Sequence, residues 1–250
     1  MITVDPQHLN LRPGQKVLDL GCGEGRHSIH LMITDEVDVY GIDLCLNDVR
    51  TASERAEPFN HPKHAKGRLL LGVANGLQLP FADATFDVVI CSEVLEHIHE
   101  YKEVLAEIDR VLKPSGIFAA TVPAYFPEWI CWQLSDEYHQ VEGGHIRIFR
   151  EGELRQSIEA LGHRHFARHK AHALHSPYWW LKCLFWNNPD NRLVAAYHRL
   201  LVWDLMKRPV LTRVTEKLLN PLLGKSIALY FVKADQQAPE SLPLAEEANS

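Results

Sequence analysis

The stretch Val17-Leu18-Asp19-Leu20-Gly21-Cys22-Gly23-Glu24-Gly25-Arg26-His27 decides how this chain is read. A run suited to a buried strand meets three glycines at alternate positions, and an amphipathic pattern with Ile29, Leu31 and Met32 follows. Further on, Tyr40-Gly41-Ile42-Asp43 sets an acid at the tip of a second strand. Strand, side-chain-free turn, helix start and acid together form a nucleoside-binding corner at the edge of an α/β sheet. Glycine is needed there because a side chain would block a ligand from the backbone, and because tight turns use φ > 0.

Dinucleotide enzymes use a similar turn, so the turn alone does not name a ligand. Asp19 precedes Gly21 and would repel a pyrophosphate held over the turn. The spacing is Gly-x-Gly-x-Gly, with Arg26 where the dinucleotide fingerprint has its last glycine. S-adenosylmethionine carries no phosphate, and its sulfonium and ammonium groups suit a nearby acid. On this reading Gly21, Gly23 and Gly25 allow the cofactor's approach and Asp19 lies near its methionine end. Asp43 accepts hydrogen bonds from the two ribose hydroxyls.

These residues resemble the class I S-adenosylmethionine-dependent methyltransferases, in particular the methyltransferase type 11 group, over residues 10–170. Asn75-Gly76-Leu77-Gln78-Leu79-Pro80-Phe81 is similar to that group's Asp-Ala-x-x-Leu-Pro-Phe segment, with Asn75 where the adenine-binding acid stands. Its amide oxygen can still accept the adenine amino group. Asp83-Ala84-Thr85-Phe86-Asp87-Val88-Val89-Ile90 resembles the turn and fourth strand, and Val111-Leu112-Lys113-Pro114-Ser115-Gly116 the turn before the fifth. The resemblance implies S-adenosyl-L-methionine as cofactor and adds Cys22, Leu44, Gly76 and Ser92 to its binding residues.

The 250 residues suffice for one sizeable domain, and 46% hydrophobic content supports a real core. Strand-like runs fall at 16–20, 37–42, 67–73, 86–91, 116–122, 164–172 and 226–233. Helical patterns cover 25–33, 46–56, 101–112 and 151–161. The alternation predicts a mostly parallel seven-stranded sheet covered on both faces. The resemblance implies a Rossmann-like class I fold with an antiparallel last strand at 226–233. A single domain is expected over 1–233, followed by a disordered tail over 234–250, rich in small and acidic residues.

Two regions exceed the minimal fold. Residues 123–150 carry Trp129, Trp132, Tyr138 and Phe149. Residues 173–224 form a helical insertion before the last strand and hold Trp179, Trp180 and Trp186. In the insertion one helix is expected to gather Leu193, Ala196, Tyr197, Leu200 and Leu201 on one face. These aromatics read either as a lid over an apolar substrate or as extra helices packed on the sheet.

A net charge of -6 gives no general attraction to nucleic acid. Five scattered cysteines read as reduced thiols of a cytoplasmic protein. The N-terminus lacks a basic start and an apolar run, so no signal peptide is expected, and no apolar stretch is long enough to span a membrane. Peripheral membrane contact stays open.

For the chemistry, Ser92-Glu93-Val94-Leu95-Glu96-His97-Ile98 follows the fourth strand on the cofactor side. As a helix start it would bring Glu93, Glu96 and His97 to one face. The run resembles the Glu-x-x-Glu-His of quinone-biosynthesis O-methyltransferases and small-RNA 2′-O-methyltransferases, where it binds a divalent metal. That implies a Mg²⁺ or Mn²⁺ site on Glu93, Glu96 and His97, with His139 or His145 as a fourth ligand. The alternative is a loop brace without metal. His145, in Gly143-Gly144-His145, is placed by the resemblance on the substrate side, where an imidazole can act as general base. Glu93, His97 and His145 are thus the candidate catalytic residues. Arg147, Arg150, Arg155, Arg164, Arg168 and Lys170 form a local basic excess, either an anion receptor or a solvated face.

The sequence therefore predicts methyl transfer to a small or lipid-like acceptor, oxygen before carbon. Metal-assisted 2′-O-methylation of RNA, a nicotinamide oxidoreductase and a non-catalytic binding protein remain as alternatives.

Overall fold

The computed structural model describes residues 2–61, 63–141 and 143–235. Its frame is a seven-stranded sheet in the order β3-β2-β1-β4-β5-β7-β6. The first half runs through β1 (Lys16–Leu20), α1 (Arg26–Thr34), β2 (Asp38–Asp43), α2 (Leu46–Ala56), β3 (Arg68–Val73) and β4 (Phe86–Ser92). Next come α3 (Tyr101–Val111), β5 (Leu112–Pro123), α4 (Tyr125–Leu134), α5 (Glu137–Gln140), α6 (Glu151–Glu159) and β6 (His163–Ala171). The chain then forms α7 (His175–Leu184), α8 (Arg192–Lys207), α9 (Val210–Leu223) and β7 (Ser226–Lys233). β7 pairs antiparallel with both β5 and β6, and every other strand pair is parallel.

Apolar periodicity explains both layers. In α3, Val104, Ile108 and Val111 recur at helical spacing and are fully buried, packing with Leu18, Leu20, Val89 and Phe118 on one face of the sheet. On the other face Leu31 packs with Val17, Val39, Val88 and Tyr230. Strand order reverses between β1 and β4, so the loops after these two strands diverge and open a crevice at their carboxyl ends. The glycine turn and the run from Glu93 to His97 stand at that crevice.

Three expectations change. Of the turn expected at 111–116, Val111 ends α3 and the rest lies within β5: Phe86 pairs with Leu112 and Val88 with Ile117, so the intervening residues bulge out of the ladder. The run after β4 does not begin a helix. Glu93 adopts φ 58, its N–H bonds to Thr121 O at 2.9 Å, and only one 3-10 turn (Leu95–His97) forms before the chain extends at Ile98. Glu93, Glu96 and His97 therefore do not share a helical face. In α8, of the apolar face expected from Leu193 to Leu201, only Leu201 is buried, while Leu193 and Leu200 are exposed. The inner side of α8 is instead Val194, Tyr197, Leu201 and Asp204. The tail expected from Ala234 falls mainly on 236–250, outside the described residues.

Candidate active site

The turn after β1 is fixed by backbone geometry. Gly21 and Gly23 have φ of 71° and 51°, and a Cβ on Gly21 would lie 2.2 Å from Val94 Cγ2. The N–H groups of Gly21 and Cys22 both donate to Ile42 O, at 2.7 and 3.0 Å, binding the turn to β2. Asp43 completes the corner: Oδ2 accepts from Gly23 N and Oδ1 from Cys45 N, each at 2.8 Å. Each carboxylate oxygen keeps a further lone pair for a ligand hydroxyl.

A cavity of about 590 Å³ opens over this corner. Gly21, Gly23, Asp43, Leu44, Asn75 and Gly76 line it. Asn75 Oδ1 also accepts from Leu77 N at 3.0 Å, which fixes the direction of its amide. Asp19, Cys22, Gly25 and Ser92 stand behind the wall. Asp19 is 1% exposed and accepts from Ser28 N at 3.0 Å and Ser28 Oγ at 2.5 Å, so it anchors the start of α1. Burial raises its carboxyl to about 6. Gly25 caps α1, and Ser92 Oγ meets Thr121 Oγ1 at 2.9 Å.

A second cavity, of about 480 Å³, adjoins the first, and Glu93 lines both. Its walls include Tyr138, Trp179 and Trp186, with His145 and Lys225 as polar groups. Glu93 Oε1 accepts from Thr121 Oγ1 at 2.9 Å, and burial raises its carboxyl above the ordinary range.

Beneath His145 lies Glu128, a fully buried acid on α4. His145 Nδ1 stands 2.6 Å from Glu128 Oε1, Tyr138 OH donates to Oε2 at 3.3 Å, and Lys225 Nζ bonds to the same oxygen. Burial alone would raise Glu128, but the His145 hydrogen bond and the Lys225 charge prevail and hold it near 2. An ionised Glu128 keeps the proton on His145 Nδ1 and leaves Nε2 as the open nitrogen. Glu128 and Lys225 escaped the sequence reading. The one sequence signal is for Glu128, a lone acid in the apolar start of α4, from Ala124 to Cys131.

His97 donates from Nδ1 to Gly144 O at 3.2 Å, and its ring meets that of His145 edge-on at 4.9 Å. Burial lowers its imidazole below the usual range. Glu96 is fully buried, and neither carboxylate oxygen has a hydrogen-bond partner. Burial, then the charge of Glu93, raises it well above the ordinary range. One ligand atom each from Glu96, His97 and His145 lie within 4.8 Å of one another. That group takes in His145 in place of Glu93, whereas His139 stacks on Trp132 at 4.2 Å. Of the basic segment, Arg155 pairs with Glu159, Arg168 with Glu151, and Arg147 lies over the Tyr101 ring.

Residues 18–120 match the family model of a methyltransferase domain. Among curated proteins, the 27-O-demethylrifamycin SV methyltransferase of Amycolatopsis mediterranei is 35% identical over 111 residues, covering 44% of this chain and 39% of that protein. The sterol 24-C-methyltransferase of Pneumocystis carinii is 28% identical over 151 residues, covering 60% of this chain and 37% of that protein. Matched segments thus span well under half of these relatives. Among solved structures, a putative methyltransferase from Bacillus halodurans superposes with a TM-score of 0.62 at 17% identity, covering 92% of this chain and 97% of that one. Over residues 18–120 the glycine corner, the strand order and the matching family model agree: this part of the chain is a methyltransferase domain of the type 11 group.

Proposed function

We propose that this protein is an enzyme that transfers the methyl group of S-adenosylmethionine to a small or lipid-like acceptor, with a hydroxyl as the preferred acceptor group. The supporting observation is that Glu93 belongs to the walls of both cavities. A ligand over the glycine corner and an acceptor among the aromatics would meet at that carboxylate. The oxygen preference follows from His145, since a hydroxyl needs its proton removed and a carbon nucleophile often does not. The relatives' names include both an oxygen and a carbon acceptor.

When bound, S-adenosylmethionine supplies an activated methyl group, which leaves the protein chiefly to position and desolvate the acceptor. Asp43 and the Gly23 turn would hold the nucleoside end. Trp179 and Trp186 would offer flat apolar surface to the acceptor body. His145 Nε2 would take the hydroxyl proton, and Glu128, hydrogen-bonded to Nδ1, would stabilise the imidazolium so formed. Five unpaired cysteines suit a reducing, cytoplasmic setting.

A second reading adds a divalent metal at Glu96, His97 and His145. It is favoured by the unpartnered carboxylate of Glu96 beside two imidazoles. The donor set of one carboxylate and two imidazoles fits such an ion. A metal there would lower the pKa of an acceptor hydroxyl and leave His145 a ligand instead of a base.

The deciding experiment is a screen of phenolic, hydroxylated isoprenoid and polyketide acceptors with methyl-labelled S-adenosylmethionine. Label transfer that falls by a hundredfold or more in His145→Ala supports the reading. Tight binding of NAD(P)H with none of S-adenosylhomocysteine would overturn it in favour of an oxidoreductase. Label transfer to RNA alone would move the acceptor class, and cofactor binding without transfer to any acceptor would indicate a binding protein.

A further inference from the structure

Helix α9 presents its apolar stripe outward. In α9, Val210, Val214, Leu218 and Leu222 form a stripe at intervals of one helical turn and are 51–78% exposed, with Leu211 beside them. The half-buried side of the same helix is more polar, with Thr212, Thr215, Glu216 and Asn220 beside Leu219 and Leu223. These inner groups have partners or close neighbours. Asn220 Oδ1 accepts from Ala173 N at 3.0 Å, Thr212 bonds to Asp204, and Glu216 lies with His172 and His175. α8 continues the outer surface with Trp203 and Met206, both exposed. A soluble helix normally buries its apolar stripe, so an outward stripe over two helices marks a face that something else covers.

Charge identifies the cover. From α8 to the end of α9 the exposed charged residues are Arg192, Arg199, Lys207, Arg208, Arg213 and Lys217, all basic. The two acids of the segment, Asp204 and Glu216, are half-buried on the inner side. This occurs in a chain of net charge -6, so the sign is local and not a general excess. A second copy seated by two-fold symmetry would bring six cations against the same six, which like-charge repulsion disfavours. No helix among the described residues is long and apolar enough to cross a membrane.

We propose that the outer face of α8 and α9 docks on a bilayer surface bearing anionic lipid headgroups. The apolar stripe enters the acyl boundary, Trp203 sits at headgroup depth, and the Lys and Arg side chains reach the lipid phosphates. Trp179 and Trp186, which line the second cavity, belong to the segment that leads into α8, and α7 packs on α8. Docking would therefore hold that cavity close to the lipid. The inference does not depend on the methyl-transfer reading, because its test reads vesicle binding and follows cofactor affinity separately.

The test is co-sedimentation of the full chain with vesicles of phosphatidylglycerol and phosphatidylcholine, against phosphatidylcholine alone. Binding to the mixed vesicles that weakens with salt is expected. Leu218→Asp should abolish it, and Arg213→Gln with Lys217→Gln should weaken it on the order of 30-fold, at about tenfold per 1.4 kcal/mol and ~1 kcal/mol per lost cation. All three positions are exposed, so melting temperature and S-adenosylhomocysteine affinity should not move in either variant. Absence of binding to mixed vesicles, or equal binding to both kinds, would overturn the proposal. So would a concentration-dependent dimer in sedimentation equilibrium that Leu218→Asp dissociates, which would assign the face to a second copy.

Discussion

Glu128→Gln is the sharpest perturbation this structure offers. The substitution keeps the size of a fully buried side chain and removes only its charge. Three donors converge on the native carboxylate: His145 Nδ1, Tyr138 OH and Lys225 Nζ. An amide has one oxygen for them and turns an NH₂ group toward at least one donor. Lys225, itself buried, loses its counter-charge. The carboxyl is lowered from its ordinary 4.5 to about 2. At 1.36 kcal/mol per pH unit that corresponds to about 3 kcal/mol of stability. Breaking one half of a buried pair falls in the same range.

For a chain of this length, the loss should lower the melting temperature by roughly 6–12 °C. Because the folded value is depressed, the contribution is fully present above pH 4.5 and disappears as pH falls from there toward about 2. The variant should therefore show a flatter acid limb in calorimetry between those values. A second change, Lys225→Met, should restore part of the loss, since removing both charges leaves neither unpaired. A Glu128→Gln protein that melts with the native one at pH 7 would refute the reasoning, and so would a double variant less stable than the single.

Other expected outcomes follow from the glycine corner and the buried acids. Asp43→Ala strips a carboxylate from the first cavity and should weaken S-adenosylhomocysteine binding by about 1–3 kcal/mol in calorimetry; unchanged affinity would mean the ribose is held elsewhere. Gly21→Ala forces a Cβ against Val94 at a positive φ and should cost about 2–4 kcal/mol in urea unfolding. Adding Val94→Ala should recover the steric share and leave the backbone share. Glu96→Gln replaces a buried carboxylate without hydrogen-bond partners, so the metal-free protein should gain stability in thermal melts. If the metal reading holds, the same variant should lose all chelator-sensitive activity; full native activity in EDTA would remove that reading. Asp19, raised to about 6, contributes stability below its ordinary 3.8 that is lost as pH rises through 6. Asp19→Asn should abolish that part of the pH dependence, and an identical profile in both proteins would contradict it.

The glycine corner was legible in the sequence because its causes are local. Glycines at alternate positions report a backbone that needs positive φ, and an acid at the end of the next strand reports a short, fixed distance across two paired strands. Strand and helix order came likewise from apolar periodicity, which the two faces of the sheet impose residue by residue. The run from Glu93 to His97 can be read as a helix start, yet it forms only one 3-10 turn. Its acids favour a helix start locally, but the Glu93 N–H bond to Thr121 on the neighbouring strand bends the chain away.

What tertiary structure alone decided lies where distant segments meet. Glu128 and Lys225 are 97 residues apart and touch only because β7 returns beside β5, where Lys225 O accepts from Ala124 N at 2.8 Å. His145 thereby acquires a partner that no spacing in the sequence announces. The outward apolar face of α9 is of the same kind. Periodicity shows that a helix has an apolar stripe, but which way the stripe points depends on what the polar side can bond to, and here Ala173 and Asp204 hold it inward. Local backbone demands are written in the residues that meet them, whereas burial and orientation are settled by the contacts of the folded chain.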